Sequence, residues 1–486
     1  MPTNLHTLSL PTRRYARHEP EKTPLYTIVA NHLEQLNNHL TRHETSLPVF
    51  VQREFADYLR CGRLEHGFLR VKCTGCRHEH LVAFSCKRRG FCPSCGARRM
   101  IETSAHLVDH VIPEVPTRQW VLSFPWPLRL LFNSRPTLLS RVLAVVVRAI
   151  ETDLIHRAGL TRKARARGGV ITLIQRFGSA LNLNVHLHML VLDGVYSEHQ
   201  GRARFHPVAA PTAQRMERSL DRIITRTLRQ LVNQGALVED PDQPWLNLED
   251  PDTLDQLSAA SVRYRIAIGP ETGKRTLTIT NPGLAQSLAP QRSRPPKPFT
   301  VNRDGFSLNA AVSIPAHRRD RLEHLCRYIT RPALCLERLS QRPDGRVQWQ
   351  LKRPFRDGTT HFVFTPEDFI ARLAALVPRP QHNLTRYHGV FAPSAALRSQ
   401  ITPAGRGGSA GQRRRRKRRK VPAPTTANPP DQTSPEQLTA PLNWATRRVT
   451  DHSSASSTST SDSAPTAVNT YGPSPTSRSP MSFMPF

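Results

Sequence analysis

Six of the eight cysteines in this chain fall between Cys61 and Cys95. Within that stretch C-T-G-C (Cys73, Cys76) and C-P-S-C (Cys92, Cys95) form two Cys-x-x-Cys knuckles fifteen residues apart. Four thiolates satisfy a tetrahedral Zn²⁺ ion, and this spacing is that of a zinc ribbon, so structural zinc is expected at these four residues. Cys61 and Cys86 are left over. They read as additional or buried thiols, although His66, His78 and His80 stand near enough in sequence to complete a second site with them. Lys87, Arg88, Arg89, Arg98 and Arg99, interleaved with Phe84 and Phe91, suit a surface that contacts a DNA backbone. A solvated basic rim is the plainer alternative.

Charge points the same way. The 486 residues carry a formal net charge of +32, a field that favours polyanions over neutral partners. The longest apolar runs, such as L-A-V-V-V-R-A-I at 143–150, fall well short of the ~20 residues of a membrane span. The N-terminus lacks the apolar core of a signal peptide. A cytoplasmic, nucleoid-associated protein with no membrane partner is expected, and disulfides are not.

The organisation is that of an α+β protein. Residues 1–60 form a helical segment, with amphipathic spacing over 25–60, and 61–105 form the zinc-binding module. Residues 110–395 form the main domain, a central antiparallel sheet with helices. In it, strands are expected at W-V-L-S-F (120–124), at V-I-T-L-I-Q-R-F and in the hairpin-like V-R-Y-R-I-A-I and T-L-T-I-T. Helices are expected from near Ser134 to Arg157, over 212–236, over 318–331 and over 366–376. Residues 396–441 are a basic and proline-rich linker containing R-R-R-R-K-R-R-K (413–420), whose cations would add salt-sensitive DNA affinity. Residues 442–486, dominated by Ser, Thr and Pro beyond 451, are expected to be disordered.

N-V-H-L-H-M-L-V-L-D-G (184–194) places His186 and His188 on one face of a strand, about 7 Å apart at their α-carbons. The pair suits one metal ion, and equally two imidazoles facing solvent or a hydrogen-bond partner. No nucleotide-binding glycine loop and no carboxylate cluster accompanies it, which argues against an ATPase or a two-metal nuclease. Tyr328, one of eight tyrosines, lies on the 318–331 helix between Arg327 and Arg331. Its phenol, ordinarily of pKa about 10, needs an activated phosphate and adjacent guanidiniums to act as a nucleophile. By itself it fits a packed helix tyrosine as well.

The order of zinc module, His-hydrophobic-His strand and tyrosine helix resembles the HUH endonucleases, and in particular the insertion sequence 91 family of rolling-circle transposases. F-S-C-K-R-R-G-F-C-P-S-C-G-A-R-R-M, Q-W-V-L-S-F-P-W-P-L-R, R-F-G-S-A-L-N-L-N-V-H-L-H-M-L-V-L-D-G-V, C-R-Y-I-T-R-P and L-T-R-Y-H-G-V-F-A-P carry the likeness, in family order, over about residues 25–400. The resemblance implies a nickase of single-stranded DNA that joins the cut 5′ end to tyrosine and transfers that strand to a target. It implies His186 and His188 as ligands of a catalytic Mg²⁺ or Mn²⁺, Tyr328 as nucleophile, and a third ligand for which Gln175 and His324 are candidates. Many relatives carry two tyrosines four residues apart, where this chain has His324 and Tyr328. A single-tyrosine enzyme would need another route to the second strand transfer, such as a second protomer in a homo-oligomer; Tyr387 is the weaker nucleophile candidate. L-N-W-A-T-R-R-V (442–449) resembles the family's later Trp-Ala segment, which normally leads to a further cysteine pair. Here D-H-S-S-A-S-S-T-S-T-S follows, and a frameshift or truncation is expected to have replaced that end. A replication initiator or relaxase with the same chemistry, and a non-catalytic zinc-dependent DNA-binding protein, are the alternatives.

Overall fold

The computed structural model describes residues 19–75, 78–161, 164–238, 245–246, 251–281, 298–406 and 447–448. Cys76, the basic run at 413–420 and nearly all of the expected linker and tail beyond 406 lie outside those residues. The chain enters helix α1 (Pro24–Arg42) at Thr23, whose Oγ1 accepts the Tyr26 N–H, with Pro24 presetting φ at the first helical position. Its apolar stripe, Leu25, Ile28, Val29, Leu36 and Leu40, is buried, as are Val51, Phe55 and Tyr58 of α2 (Val49–Arg60). The Phe55 and Tyr58 rings close on Phe91 at centroid distances of 4.7 and 5.2 Å. Trp349, Phe362, Phe364, Phe369 and Leu373 belong to the same core, so the N-terminal helices bury their faces against chain some 300 residues onward.

After α2 comes a hairpin of β1 (Phe68–Lys72) and β2 (Glu79–Ala83). Phe68 faces Ala83 at its base and Lys72 faces Glu79 at its tip. Helix α3 (Pro93–His106) then leads into the central sheet.

That sheet is built from β3 (Thr117–Ser123), β4 (Arg167–Phe177), β5 (Leu183–His199), β6 (Arg202–Pro207), β7 (Thr300–Arg303), β8 (Phe306–Ile314) and β9 (Thr385–Gly389). The order is β7-β8-β3-β5-β4-β9, with β6 also paired to β5, and every pairing is antiparallel. On one face lie α4 (Trp126–Ser134), α5 (Pro136–Arg157) and α6 (Ala213–Val232). Val185, Leu187, Met189 and Val191 of β5 point into that core. The alternate residues Leu190 and Leu192 point the other way, towards Leu322, Leu325 and Ile329. A strand buried on both faces needs an apolar residue at nearly every position, which is why 185–192 reads as a continuous hydrophobic run. His186 and His188 occupy the second row, at the end where the covering helix leaves the sheet open.

Most expected elements form. The expected strand over V-R-Y-R-I-A-I does not: a helix, α7 (Thr253–Val262), runs into it and Arg265 makes only an isolated bridge to Arg275. The reason is local, since the Asp252 carboxylate caps the helix by accepting the Asp255 N–H at 2.8 Å. Helix α8 (Arg319–Thr330) carries Tyr328, and α9 (Pro366–Leu376) packs on α1 and α7. A second, four-stranded sheet of residues 277–280, 339–341, 347–350 and 359–364 lies beside α9. No helix among the described residues is long and apolar enough to cross a membrane.

Candidate active site and metal centres

Register places the two histidines. Across β5, His186 faces Ser123 and Gln175, and His188 faces Val121 and Leu173. Their Nε2 atoms converge to 3.1 Å. The Nδ1 of His186 lies 2.8 Å from the Asn184 carbonyl oxygen, and the Nδ1 of His188 lies 2.8 Å from the Gln119 side-chain amide. A proton on the His186 Nδ1, held by the Asn184 carbonyl, leaves that ring's Nε2 lone pair for a cation. The Gln119 amide nitrogen donates to the His188 Nδ1, so the His188 ring proton sits on Nε2 towards His186. A half-turn of that amide moves the proton to Nδ1 and frees the second lone pair. Burial pushes His186 down to about 4 and His188 down to about 3, with Arg331 adding repulsion to both. Both rings are therefore neutral at pH 7, the form that binds metal.

Tyr328 stands above this pair. Its ring meets that of His188 edge-on, 6.4 Å between centroids at 88°, and it is 47% exposed, on the solvent side of a helix whose Leu322, Leu325, Cys326 and Ile329 are buried. Arg331 lies over the phenol face, Cζ 4.4 Å from the ring centre, and also 5.6 Å from the Phe177 ring. The Lys352 ammonium is 5.9 Å from the phenol ring. An open cavity of about 590 Å³ is lined by Gln119, Gln175, His186, His188, Tyr328 and Arg331 among others. Gln175 is thus at the site. His324 is exposed, bound to the Asp320 carbonyl, and outside the cavity lining. Tyr387 pairs with Ile171 at the sheet edge, two strands or about 10 Å from β5, and is also absent from that lining.

The thiols assemble differently from expectation. Cys61 at the end of α2, Cys86 after β2, and Cys92 and Cys95 at the start of α3 bring their sulfurs within 4.8 Å of one another. The Sγ–Sγ distances are 3.8 Å for Cys61–Cys92, 3.7 Å for Cys61–Cys95 and 3.4 Å for Cys86–Cys95. A tetrahedral zinc with bonds of about 2.3 Å needs sulfurs about 3.8 Å apart, so the donor set fits that ion. Hydrogen bonds from its neighbours, Cys61 first, hold the Cys95 thiol far below its ordinary range, while Cys92 is pushed up. Cys92 and Cys95 take the expected place; Cys73 does not, and that assignment is corrected. Cys73 follows β1 at the hairpin tip, whereas Cys61 and Cys86 flank the hairpin base, where the Gly62 N–H donates to the Phe84 carbonyl at 2.8 Å. Five residues of strand put tip and base about 16 Å apart, out of reach of one ion.

The expected DNA-contacting cations are not equivalent. Arg88 is paired with Asp57 at 2.7 Å and Arg98 with Glu102 at 2.8 Å. Arg99 braces the loop through the Lys87 and Arg88 carbonyls, and Arg89 donates to the His382 carbonyl. Lys87 is exposed. Arg88, Arg89, Arg99 and Arg331 line a second cavity of about 490 Å³, together with the buried Arg176, so a positive recess adjoins the histidine site. Arg327 is exposed and paired with Glu323. Sequence reasoning missed Gln119, Asn184 and Arg176. A lone amide in the apolar Q-W-V-L strand was the available signal for Gln119.

The chain matches two family models: "Transposase zinc-binding domain" over residues 28–124 and "Putative transposase" over residues 169–399. No curated protein and no solved structure matches it.

Proposed function

Because the chain belongs to the insertion sequence 91 family of transposases, we propose that it cuts single-stranded DNA with Tyr328 and retains the cut strand as a 5′-phosphotyrosine. The observation that carries this reading is the Tyr328 ring set edge-on to His188, over two imidazole nitrogens 3.1 Å apart. His186 and His188 would hold a divalent cation, Mg²⁺ or Mn²⁺, with Gln175 as third ligand. Bound there, the cation supplies positive charge to a non-bridging phosphate oxygen.

The chain's own residues do the rest. The Tyr328 oxygen bonds to phosphorus as the P–O3′ bond breaks, so one strand leaves with a 3′ hydroxyl. The phenolic proton passes to solvent and the 3′ oxygen takes one up. Arg331, stacked on the phenol, stands where negative charge builds on the phenol and phosphate oxygens. The 490 Å³ recess guides the backbone of the bound strand past Arg331. Attack by a target 3′ hydroxyl on the phosphotyrosine reverses the chemistry and completes transfer while replication displaces the element. With one tyrosine on α8, the second transfer falls to the Tyr328 of another protomer. In this reading residues 61–105 are the zinc module and 110–395 the catalytic domain.

Purified protein incubated with Mn²⁺ and labelled single-stranded DNA from the element's ends should yield a covalent adduct on denaturing gels. Tyr328→Phe and His186→Ala should each abolish it. An adduct that survives Tyr328→Phe moves the nucleophile elsewhere, Tyr387 first. No adduct with any divalent metal leaves a DNA-binding protein without this chemistry.

A further inference from the structure

Helix α3 begins at the zinc thiols and meets the tyrosine helix with the rest of its length. Cys92 precedes its first residue and Cys95 lies in its first turn. Gly96 follows, its N–H donating to the Cys92 carbonyl at 2.9 Å. Glycine is a poor residue inside a helix, and a close approach explains it here. A Cβ on Gly96 would lie 2.7 Å from the Pro332 Cβ and 3.6 Å from the Pro332 Cα. A proline ring is locked to its own backbone, so a larger residue at 96 must push the two segments apart.

Pro332 also terminates α8. It keeps Arg331 in extended backbone, φ −56° and ψ 150°, and from there the guanidinium turns back over the Tyr328 ring. The other end of α8 rests on the same support. Arg319, its first residue, donates to the Ile112 and Pro113 carbonyls at 3.0 and 3.3 Å, and to the Val108 carbonyl. Between the two ends, Leu322, Leu325 and Ile329 share a core with Leu107, Val111 and Ile112. Leu107–Val111 is a π-helical turn that continues α3.

We propose that the zinc module sets where the nucleophile stands, with Gly96 as a positioning residue that acts through Pro332 and Arg331 on Tyr328. The ion fixes Cys92 and Cys95, the thiols fix the first turn of α3, and Gly96 lets that turn seat against the end of α8. A reacting group displaced by about 1 Å can lose on the order of a hundredfold in rate. The consequence for rate rests on Tyr328 being the nucleophile; the consequence for where its ring lies does not.

The test is Gly96→Val in the full-length, zinc-loaded chain, followed by two readouts. Fluorotyrosine placed at position 328 reports the ring's surroundings by fluorine NMR, and adduct formation with Mn²⁺ is measured over a range of single-stranded DNA concentrations. The variant should shift the fluorine resonance and lower the maximal rate by roughly ten- to a hundredfold. Zinc content and the half-saturating DNA concentration should hold. Adding Pro332→Gly, which removes the opposing Cβ, should return both readouts towards the wild type. A resonance unmoved by Gly96→Val overturns the proposal, as does a shift that Pro332→Gly fails to relieve, or a loss confined to DNA affinity. If Gly96→Val is insoluble or poor in zinc, Gly96→Ala takes its place, since one methyl already meets the proline. A wild type that forms no adduct removes the nucleophile reading instead, and the fluorine resonance still decides whether Gly96 places the ring.

Discussion

Gln175 and His186 sit directly opposite each other on β4 and β5, both buried, with the Gln175 amide also donating to the Ile329 carbonyl of α8 at 3.3 Å. One side chain thus touches the strand of the histidines and the helix of the tyrosine. As a third ligand it would fix the cation relative to the nucleophile. Gln175→Ala should raise the Mn²⁺ concentration needed for half-maximal adduct formation by about tenfold or more, whereas His324→Ala should change it little. The reverse pattern would transfer the ligand role to His324.

Arg331 is tied to the site by its stacking on Tyr328 and by an Nη1 hydrogen bond to the Tyr328 carbonyl at 2.9 Å. A charge-assisted contact of about 1.5–3 kcal/mol corresponds to roughly ten- to a hundredfold in rate. Arg331→Ala should slow adduct formation by that factor, and Arg331→Lys should restore only part, since a point charge cannot stack as guanidinium does. Arg327→Ala, at a neighbouring cation paired with Glu323, is the control. Equal losses in both variants would point to bulk charge instead.

The buried histidines also make stability depend on pH. Their folded values, about 4 and about 3, lie below the unfolded value of 6.5. As pH falls below 6.5 the unfolded chain takes up protons that the folded chain refuses, so stability declines from there until the folded values are reached. Metal-free protein should therefore lose urea resistance between pH 6.5 and about 4. His188→Gln should lose less over that interval, by an amount on the order of a few kcal/mol at most. Parallel curves for the two proteins would show that the ring is not held neutral by burial.

A buried ion pair supplies a contrast at the other end of the sheet. Arg118 and Asp193 meet at 3.0 Å, with Arg118 also donating to the Ala310 carbonyl and Asp193 accepting from Ser313. Together they join β3, β5 and β8. Asp193→Ala strands a buried guanidinium and should cost about 3–5 kcal/mol in denaturant unfolding, while adduct formation per folded molecule stays unchanged. A specific loss of activity at full folding would reveal an unsuspected link to the site.

Much of this was readable beforehand, and the exceptions have physical causes. The 136–157 and 366–376 helices announced themselves through a proline at the first turn and apolar spacing, and β5 through its run of Val, Leu and Met. His186, His188 and Tyr328 stood out because polar or aromatic residues interrupt those patterns. Helix 253–262 stayed hidden because its signal is one aspartate cap before a short stretch. Partners at long range left no trace at all. Nothing local says that α1 buries itself against Trp349, or that Gln119 holds His188. Cys-x-x-Cys spacing misled for the same reason, since it reports proximity along the chain. The hairpin instead carries Cys73 away from Cys92 and returns the chain at Cys86.

Exchange of ligands between tip and base yields the sharpest stability prediction. Cys61, Cys92 and Cys95 lie in one core with Phe55, Tyr58 and Phe91, so the zinc they hold is part of what keeps α1 and α2 in place. Metal binding of this kind is folding free energy. Cys61→Ser should release the cluster's zinc and destabilise the N-terminal region by several kcal/mol, seen as earlier proteolysis of residues 19–60 and a lower thermal midpoint. Cys73→Ser, at an exposed hairpin tip, should leave both readouts close to the wild type. If instead Cys73→Ser unfolds the N-terminal region and Cys61→Ser does not, the four-thiol cluster is not the structural centre.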